Sequence, residues 1–304
     1  MFEERSSVPV WLMRQAGRYQ KSYRDLKEKY SFEEFCKKPE LAAMLTMNAL
    51  EEFHFDAGIV FSDLLFPLES IGCDLLYNPG PIVVEHDFTL CPENFFSFQE
   101  EAIRLIPKSK PLLGFIGGPY TLYAYLHKNV EDLYSDKYKE FCFYLKDSLL
   151  KSIYAQRHTD CICIFETSLG DISYLDFTLH VVPFLENLVK ESQYKGKWMF
   201  FSRNTTVSHY KAVQHLFDVL AFDWHFDLAE MFQEFPHHFI QGNLHPRHLF
   251  ASSLKDVLLS LLQSLPYEEA KKRLIFNLGH GVLKETSEDA VREVMSMVKK
   301  FFTE

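Results

Sequence analysis

Two arginines, Arg14 and Arg18, stand four residues apart with only Gln15, Ala16 and Gly17 between them. Guanidinium groups are planar, permanently charged forks that pair with carboxylates through two parallel hydrogen bonds. Small intervening residues let both forks converge on one side of a turn or helix start. The plainer alternative is a solvated basic helix end that pairs with surface acids. Arg24, farther into a charged segment, reads as structural. Asp63 lies between Ala57-Gly-Ile-Val-Phe61 and Leu64-Leu65-Phe66, so its carboxylate is partly desolvated and costly unless paired. It suits a helix cap, an ion pair, or a preorganised negative charge awaiting a cationic intermediate.

Further along, Gly114-Phe-Ile-Gly-Gly-Pro-Tyr-Thr121 is rich in glycine but lacks the Gly-Lys-Ser/Thr ending of a nucleotide phosphate loop. It reads as a tight strand-to-helix turn that brings backbone close to a ligand. Tyr125 follows Thr121 by four residues and shares its helical face, although a buried tyrosine is more often core than ligand. His280, between Gly279 and Gly281, is set up to be accessible and to bind a carboxylate or relay a proton.

These residues need a scaffold, and one recurs along the chain. Eight short apolar runs each end in polar or glycine residues and are followed by helical patterning: Val8–Met13, Ala57–Phe61, Pro111–Ile116, Cys161–Phe165, Lys197–Phe201, Asp218–Phe222, His238–Ile240 and Arg273–Phe276. Continuous apolar runs suit strands buried on both faces. Between them, Phe141, Leu145, Leu149 and Ile153 form one helical stripe, and Leu41, Met44 and Leu45 another, preceded by Ser31 and Glu34 at capping-box spacing. A last helix opens near Thr286-x-x-Asp289 and turns Val291, Val294, Met295 and Val298 inward. Eight alternations predict an α/β fold, a single-domain (β/α)8 TIM barrel over residues 1–304, with a doubly wound sheet as the alternative. A barrel places its active site at the carboxyl ends of the strands. The ends read Arg14, Gln15 and Arg18; Ser62 and Asp63; Gly117, Gly118 and Thr121; Glu166 and Thr167; Arg203; Asp223 and Trp224; Gln241 to Asn243; and Asn277, Gly279 and His280.

Composition narrows the partners. Forty-two acids against 32 Lys and Arg give a formal charge of −10, which argues against nucleic acid. An acidic chain that binds an anion must gather its positive charge locally. Six scattered cysteines show neither a disulfide framework nor zinc-ligand spacing and read as reduced core thiols. No apolar run approaches the ~20 residues needed to span a bilayer, and no secretory signal is apparent, so a cytoplasmic protein is expected.

Five strings, taken together, resemble the uroporphyrinogen decarboxylase family: Met13-Arg-Gln-Ala-Gly-Arg-Tyr19, Phe61-Ser-Asp-Leu64, Gly114–Thr121, Gln241-Gly-Asn-Leu244 and Asn277-Leu-Gly-His-Gly281. They follow the family's order across nearly the whole chain. The resemblance implies a (β/α)8 barrel, homodimeric, that converts uroporphyrinogen III into coproporphyrinogen III without metal or organic cofactor. It implies that Arg14 and Arg18 hold substrate carboxylates, with Gln15, Ala16 and Gly17 in the same binding stretch. Asp63 would collect the pyrrole N–H groups at the macrocycle centre and act catalytically. Tyr125, Thr167 and His280 would bind substrate, and Phe165 would form an apolar wall. The proton donor stays open among Arg18, His280 and water. Departures from the family pattern include His245-Pro246 for Asp-Pro, Ser168-Leu-Gly170 after the fourth strand, Arg203 for a lysine, Gln20-Lys-Ser22, and a short segment before Trp11. Two rival functions are a cobalamin-linked methyltransferase, which would need a His/Cys zinc site near the last strands, and a non-catalytic tetrapyrrole carrier.

Overall fold

The computed structural model describes residues 7–77, 80–127 and 133–303. Seven of the eight apolar runs become strands of one parallel sheet. In chain order these are β1 (Gly58–Ile59), β4 (Leu112–Gly117), β5 (Cys161–Glu166), β6 (Lys197–Ser202), β7 (Val219–Ala221), β8 (Phe239–Leu244) and β9 (Leu274–Leu278), each paired with the next. The register sets Gly114 beside Ile162, Cys163 beside Met199 and Leu220 beside Ile240. β2 (Asp74–Leu76) and β3 (Ile82–Val84) form a separate antiparallel pair.

The strands are apolar throughout because both faces are covered. One set of side chains, Cys161, Cys163, Met199, Phe201, Val219, Ala221 and Ile275, packs together on the inner face with Trp11 and Met13. The alternate set, including Ile162, Ile164, Phe200, Leu220, Ile240 and Phe276, packs outward into the core that holds the helices. In the helix Asp136–Ala155 the four-residue stripe is realised, with Phe141, Leu145, Leu149 and Ile153 all buried. The helix Glu288–Thr303 likewise buries Val291, Val294, Met295 and Val298. All six cysteines are free thiols.

Three expectations need correction. The first apolar run, Val8–Met13, makes only one bridge, Val10 to Phe276, instead of a full strand. Side chains take over much of its ladder: Asp56 accepts from the Val10 N–H at 2.8 Å and its own N–H donates to the Val10 carbonyl. Gln241 accepts from the Trp11 indole N–H at 2.9 Å, and Asn277 accepts from the Met13 N–H at 2.9 Å. Gln241 and Asn277 are therefore buried anchors of this segment and not part of an open polar ring. Second, the Ser31/Glu34 capping box is real but starts its own short helix, Phe32–Lys37, while Leu41 and Leu45 belong to Pro39–Phe53, where Met44 is exposed. Third, the last helix is capped by Ser287, whose hydroxyl accepts from the Ala290 N–H, and not by Thr286.

Candidate active site

Parallel strands bring their carboxyl ends to one side, and the chemistry-bearing residues follow those ends. Arg14 leaves the Val8–Met13 segment with φ 57°, a left-handed conformation that few non-glycine residues hold without support. Its side chain runs across the backbone at Gly281. A β-carbon there would stand 2.4 Å from Arg14 Cδ, so glycine at that position leaves room for the Arg14 side chain. The turn that follows is tied down: Gln20 N–H donates to the Gly17 carbonyl, and the Tyr19 hydroxyl donates to the Gln15 carbonyl. Arg24 donates to the carbonyls of Arg18 and Tyr19, the structural part its position suggested. Arg14 and Arg18 are both exposed, with Ala16 and Gly17 half-buried. Gln15 is fully buried, and neither atom of its amide has a partner among the described residues.

Next to Arg14 sits His280, two residues past β9. Burial pushes its ring down to a pKa of about 4, and the charges of Arg14 and Arg203 push the same way, against a smaller opposing pull from Asp223. Asp223 is fully buried; its carboxylate accepts from the Asn204 N–H at 2.8 Å and the His225 N–H at 2.9 Å. Trp224 then stacks against His245, ring centroids 4.2 Å apart, and reaches toward His280 at 6.5 Å. The histidine at position 245 thus lines an aromatic rim.

Asp63 lies half-buried beyond β1, and one carboxylate oxygen accepts from the Leu65 N–H at 3.0 Å. Burial raises its pKa; the Tyr77 hydroxyl, the Leu65 and Leu64 N–H groups and the Arg14 charge oppose that rise. Tyr77 was not foreseen. It follows β2, and turn chemistry in Asn78-Pro-Gly80 is the local sequence signal that a hairpin would deliver it. Of the alternatives expected for Asp63, neither a helix cap nor an ion pair is present among the described residues: its carboxylate closes a turn on the Leu65 N–H, and Arg14 acts on it only through its field.

Phe165 is half-buried, its ring 5.9 Å from Phe115 and 5.8 Å from Phe201, so three aromatic rings from neighbouring strands cluster there. Phe115 was not singled out from sequence. Thr167 follows β5, half-buried, and Tyr125 is exposed on the last turn of the helix Pro119–Leu126. Thr121, by contrast, is fully buried. Its hydroxyl and N–H both donate to Glu166, at 2.7 and 2.9 Å, and the Tyr120 N–H adds a third bond at 3.1 Å. Burial still holds Glu166 up at a pKa of about 7. Arg14 therefore links Asp63 and His280 electrostatically, whereas Tyr125 and Thr167 share the same end of the sheet without a recorded contact to that group.

The arginines divide by partner. Arg104 and Arg157 pair with Glu100 and Arg273 with Glu269, away from the strand carboxyl ends, and Arg292 pairs with Glu288 and Asp289. Among the described residues Arg14, Arg18, Arg203 and Arg247, which lie at those ends, make no ion pair. In a chain with a formal charge of −10, these guanidiniums stand without a compensating carboxylate. A hollow of about 660 Å³ lies at the opposite end of the sheet, between Lys108, Lys110, Leu112, His158 and Asp160, well away from these residues. No three His, Cys, Asp or Glu side chains among the described residues converge as a metal site requires. Nor is any described helix long and apolar enough to cross a membrane.

Fold and site define an α/β protein whose parallel sheet carries arginines without ion pairs and a half-buried aspartate at its carboxyl end. The profile described as uroporphyrinogen decarboxylase (URO-D) matches residues 3–301, and the chain belongs to that family. The uroporphyrinogen decarboxylase of Thermodesulfovibrio yellowstonii is 31% identical over 327 residues, spanning 97% of this chain and 94% of that protein. The Staphylococcus carnosus and Aquifex aeolicus uroporphyrinogen decarboxylases are each 31% identical as well, spanning 98% and 96% of this chain and 95% and 94% of those proteins. Among solved structures, a methyltransferase from Methanosarcina mazei superposes with a TM-score of 0.78 at 16% identity, covering 99% of this chain and 96% of that one. A B12-independent methionine synthase from Shewanella sp. W3-18-1 follows at 0.56 and 13%, covering 97% and 96%. At such identities these two likenesses concern the fold alone.

Proposed function

We propose that this chain removes CO2 from the four acetate side chains of uroporphyrinogen III, leaving methyl groups and so producing coproporphyrinogen III. Residues 1–304 act as one catalytic domain, the Val8–Met13 segment completing an eight-membered (β/α)8 barrel, and the enzyme works as a cytoplasmic homodimer. The observation that carries the reading is the pairing of unpartnered guanidiniums with one half-buried carboxylate, Asp63, at the same strand ends.

Each step converts R–CH2–COO⁻ and one proton into R–CH3 and CO2. Direct loss of CO2 would strand a carbanion, so the ring must first become an electron sink, a service that a cofactor usually supplies. An electron-rich pyrrole does this itself once a ring carbon is protonated. Loss of CO2 then returns electrons to the ring, and protonation of the exocyclic carbon gives the methyl group. Ionised Asp63, facing the pyrrole N–H groups, stabilises the cationic intermediate, and fixed charge of this kind in a partly dry site is a large catalytic term. Arg14 and Arg18, with the Gln15–Gly17 stretch between them, hold the peripheral carboxylates. Tyr125, Thr167 and His280 add hydrogen bonds, and Phe165 lies against the macrocycle. With a pKa of about 4, His280 is protonated in roughly one molecule in a thousand at pH 7. Guanidinium is a still poorer acid. Both facts favour water as the proton source.

Anaerobic incubation with uroporphyrinogen III, followed by oxidation and chromatography of the porphyrins, tests the reading directly. Tetracarboxylate product supports it. Binding without any loss of carboxylates would leave a tetrapyrrole carrier instead.

A further inference from the structure

Arg203 is a cation at the strand ends that lies outside the Arg14–Arg18 motif. It follows β6 directly, and the backbone around it is held from both sides. The Asn204 N–H donates to Asp223 at 2.8 Å, and the Ser202 hydroxyl lies 2.6 Å from that of Thr205. Asn204 adopts φ 56° and packs so tightly on Gly170 that a β-carbon there would meet Asn204 Cβ at 2.8 Å. The side chain has no such anchor. Arg203 is half-buried, and its Nε–H is enclosed with no acceptor among the described residues.

An enclosed charged donor without an acceptor is among the costlier defects that a fold can carry. The Asp223 carboxylate, which acts on the His280 ring, is already engaged by Asn204 and His225. Arg203 also acts on the same ring as Arg14: both charges bear on His280, opposed by the smaller pull of the engaged Asp223. A bound anion would balance the surplus of positive charge there. We propose that Arg203 is a further carboxylate anchor of this site, pairing with one acidic side chain of the tetrapyrrole next to His280. The inference rests on the tetrapyrrole reading and extends it. A fork in place of a point charge would grip that carboxylate through two hydrogen bonds, fixing how the macrocycle is turned in the site.

The test is equilibrium binding of two fluorescent porphyrins, octacarboxylate uroporphyrin and tetracarboxylate coproporphyrin, to the full chain at several salt concentrations. Arg203→Gln should weaken uroporphyrin about tenfold and flatten its salt dependence, because one screened ion pair is lost. Arg203→Lys keeps the charge, so the salt dependence should persist while affinity falls a few-fold. Wild-type affinity in Arg203→Gln overturns the assignment. Should that variant not fold, wild-type affinity in Arg203→Lys overturns the bidentate pairing. If the wild-type chain binds neither porphyrin, the tetrapyrrole reading itself fails and takes Arg203 with it, an outcome distinct from loss of the Arg203 effect alone.

Discussion

The side chain of Arg14 and the backbone of Gly281 occupy adjoining space, with only 2.4 Å between Arg14 Cδ and the point where a β-carbon on Gly281 would sit. Gly281→Ala should therefore push the flexible Arg14 side chain aside without dismantling the sheet. We expect substrate affinity to fall about tenfold, the effect of losing ~1.4 kcal/mol, with the melting temperature nearly unchanged. Steady-state KM and a thermal melt, read together, decide it. Wild-type KM in this variant would mean that Arg14 does not hold substrate from its present position.

His280 makes a pH signature. Its folded pKa of about 4 lies below the ordinary 6.5. Between those values the unfolded chain binds a proton that the folded chain does not, so stability falls as pH drops through that window. The loss is roughly 2–3 kcal/mol, allowing for the partial exposure of the ring. Urea melts at pH 7 and pH 4.5 should show a larger loss for wild type than for His280→Gln. Arg14→Ala should move the ring's titration upward, visible by NMR. Equal pH sensitivity in wild type and His280→Gln would show that the ring is not held neutral.

Asp63 should trade stability against turnover. Burial raises its pKa, meaning that the ionised form is disfavoured in the fold. Asp63→Asn keeps an oxygen for the Leu65 N–H while removing the charge. At pH 7 the variant should be at least as resistant to urea as wild type, yet decarboxylate about 100-fold more slowly. Unimpaired turnover would remove Asp63 from the mechanism.

What could be read from the sequence follows from the physics of each element. Seven strands were legible because burial on both faces demands unbroken apolar runs such as Cys161–Phe165. The first run looked the same, but Asn277 and Asp56 bond its backbone, and Gln241 its Trp11 indole, where a neighbouring strand was expected, and long-range side-chain bonding leaves no local pattern. Likewise, Arg14 and Arg18 announced themselves by spacing. Tyr77 could not, because its relation to Asp63 depends on where a two-stranded hairpin is laid. Glu166 was visible as a residue at a strand end, but its complete burial against Thr121 was not.

That burial supports a last experiment. Glu166 accepts three hydrogen bonds from Tyr120 and Thr121 and has no cation beside it, which sets desolvation against hydrogen bonding. Desolvation wins, since the folded pKa is about 7 against an ordinary 4.5. As pH rises from 4.5 to 7, the folded chain holds a proton that the unfolded chain has lost, so folding becomes less favourable across that window, by about 3 kcal/mol at most. Glu166→Gln removes the titration at the cost of one acceptor. The stability of wild type relative to Glu166→Gln should thus decline between pH 5 and pH 8 in guanidinium melts, and a constant difference would mean that Glu166 does not titrate there. Gly118→Ala offers an independent check, because a β-carbon at that position would lie 2.2 Å from Glu166 Cδ. It should destabilise the chain by about 1–3 kcal/mol or more. Because the carboxylate also holds the start of the helix that ends near Tyr125, both substitutions should raise KM for uroporphyrinogen as well.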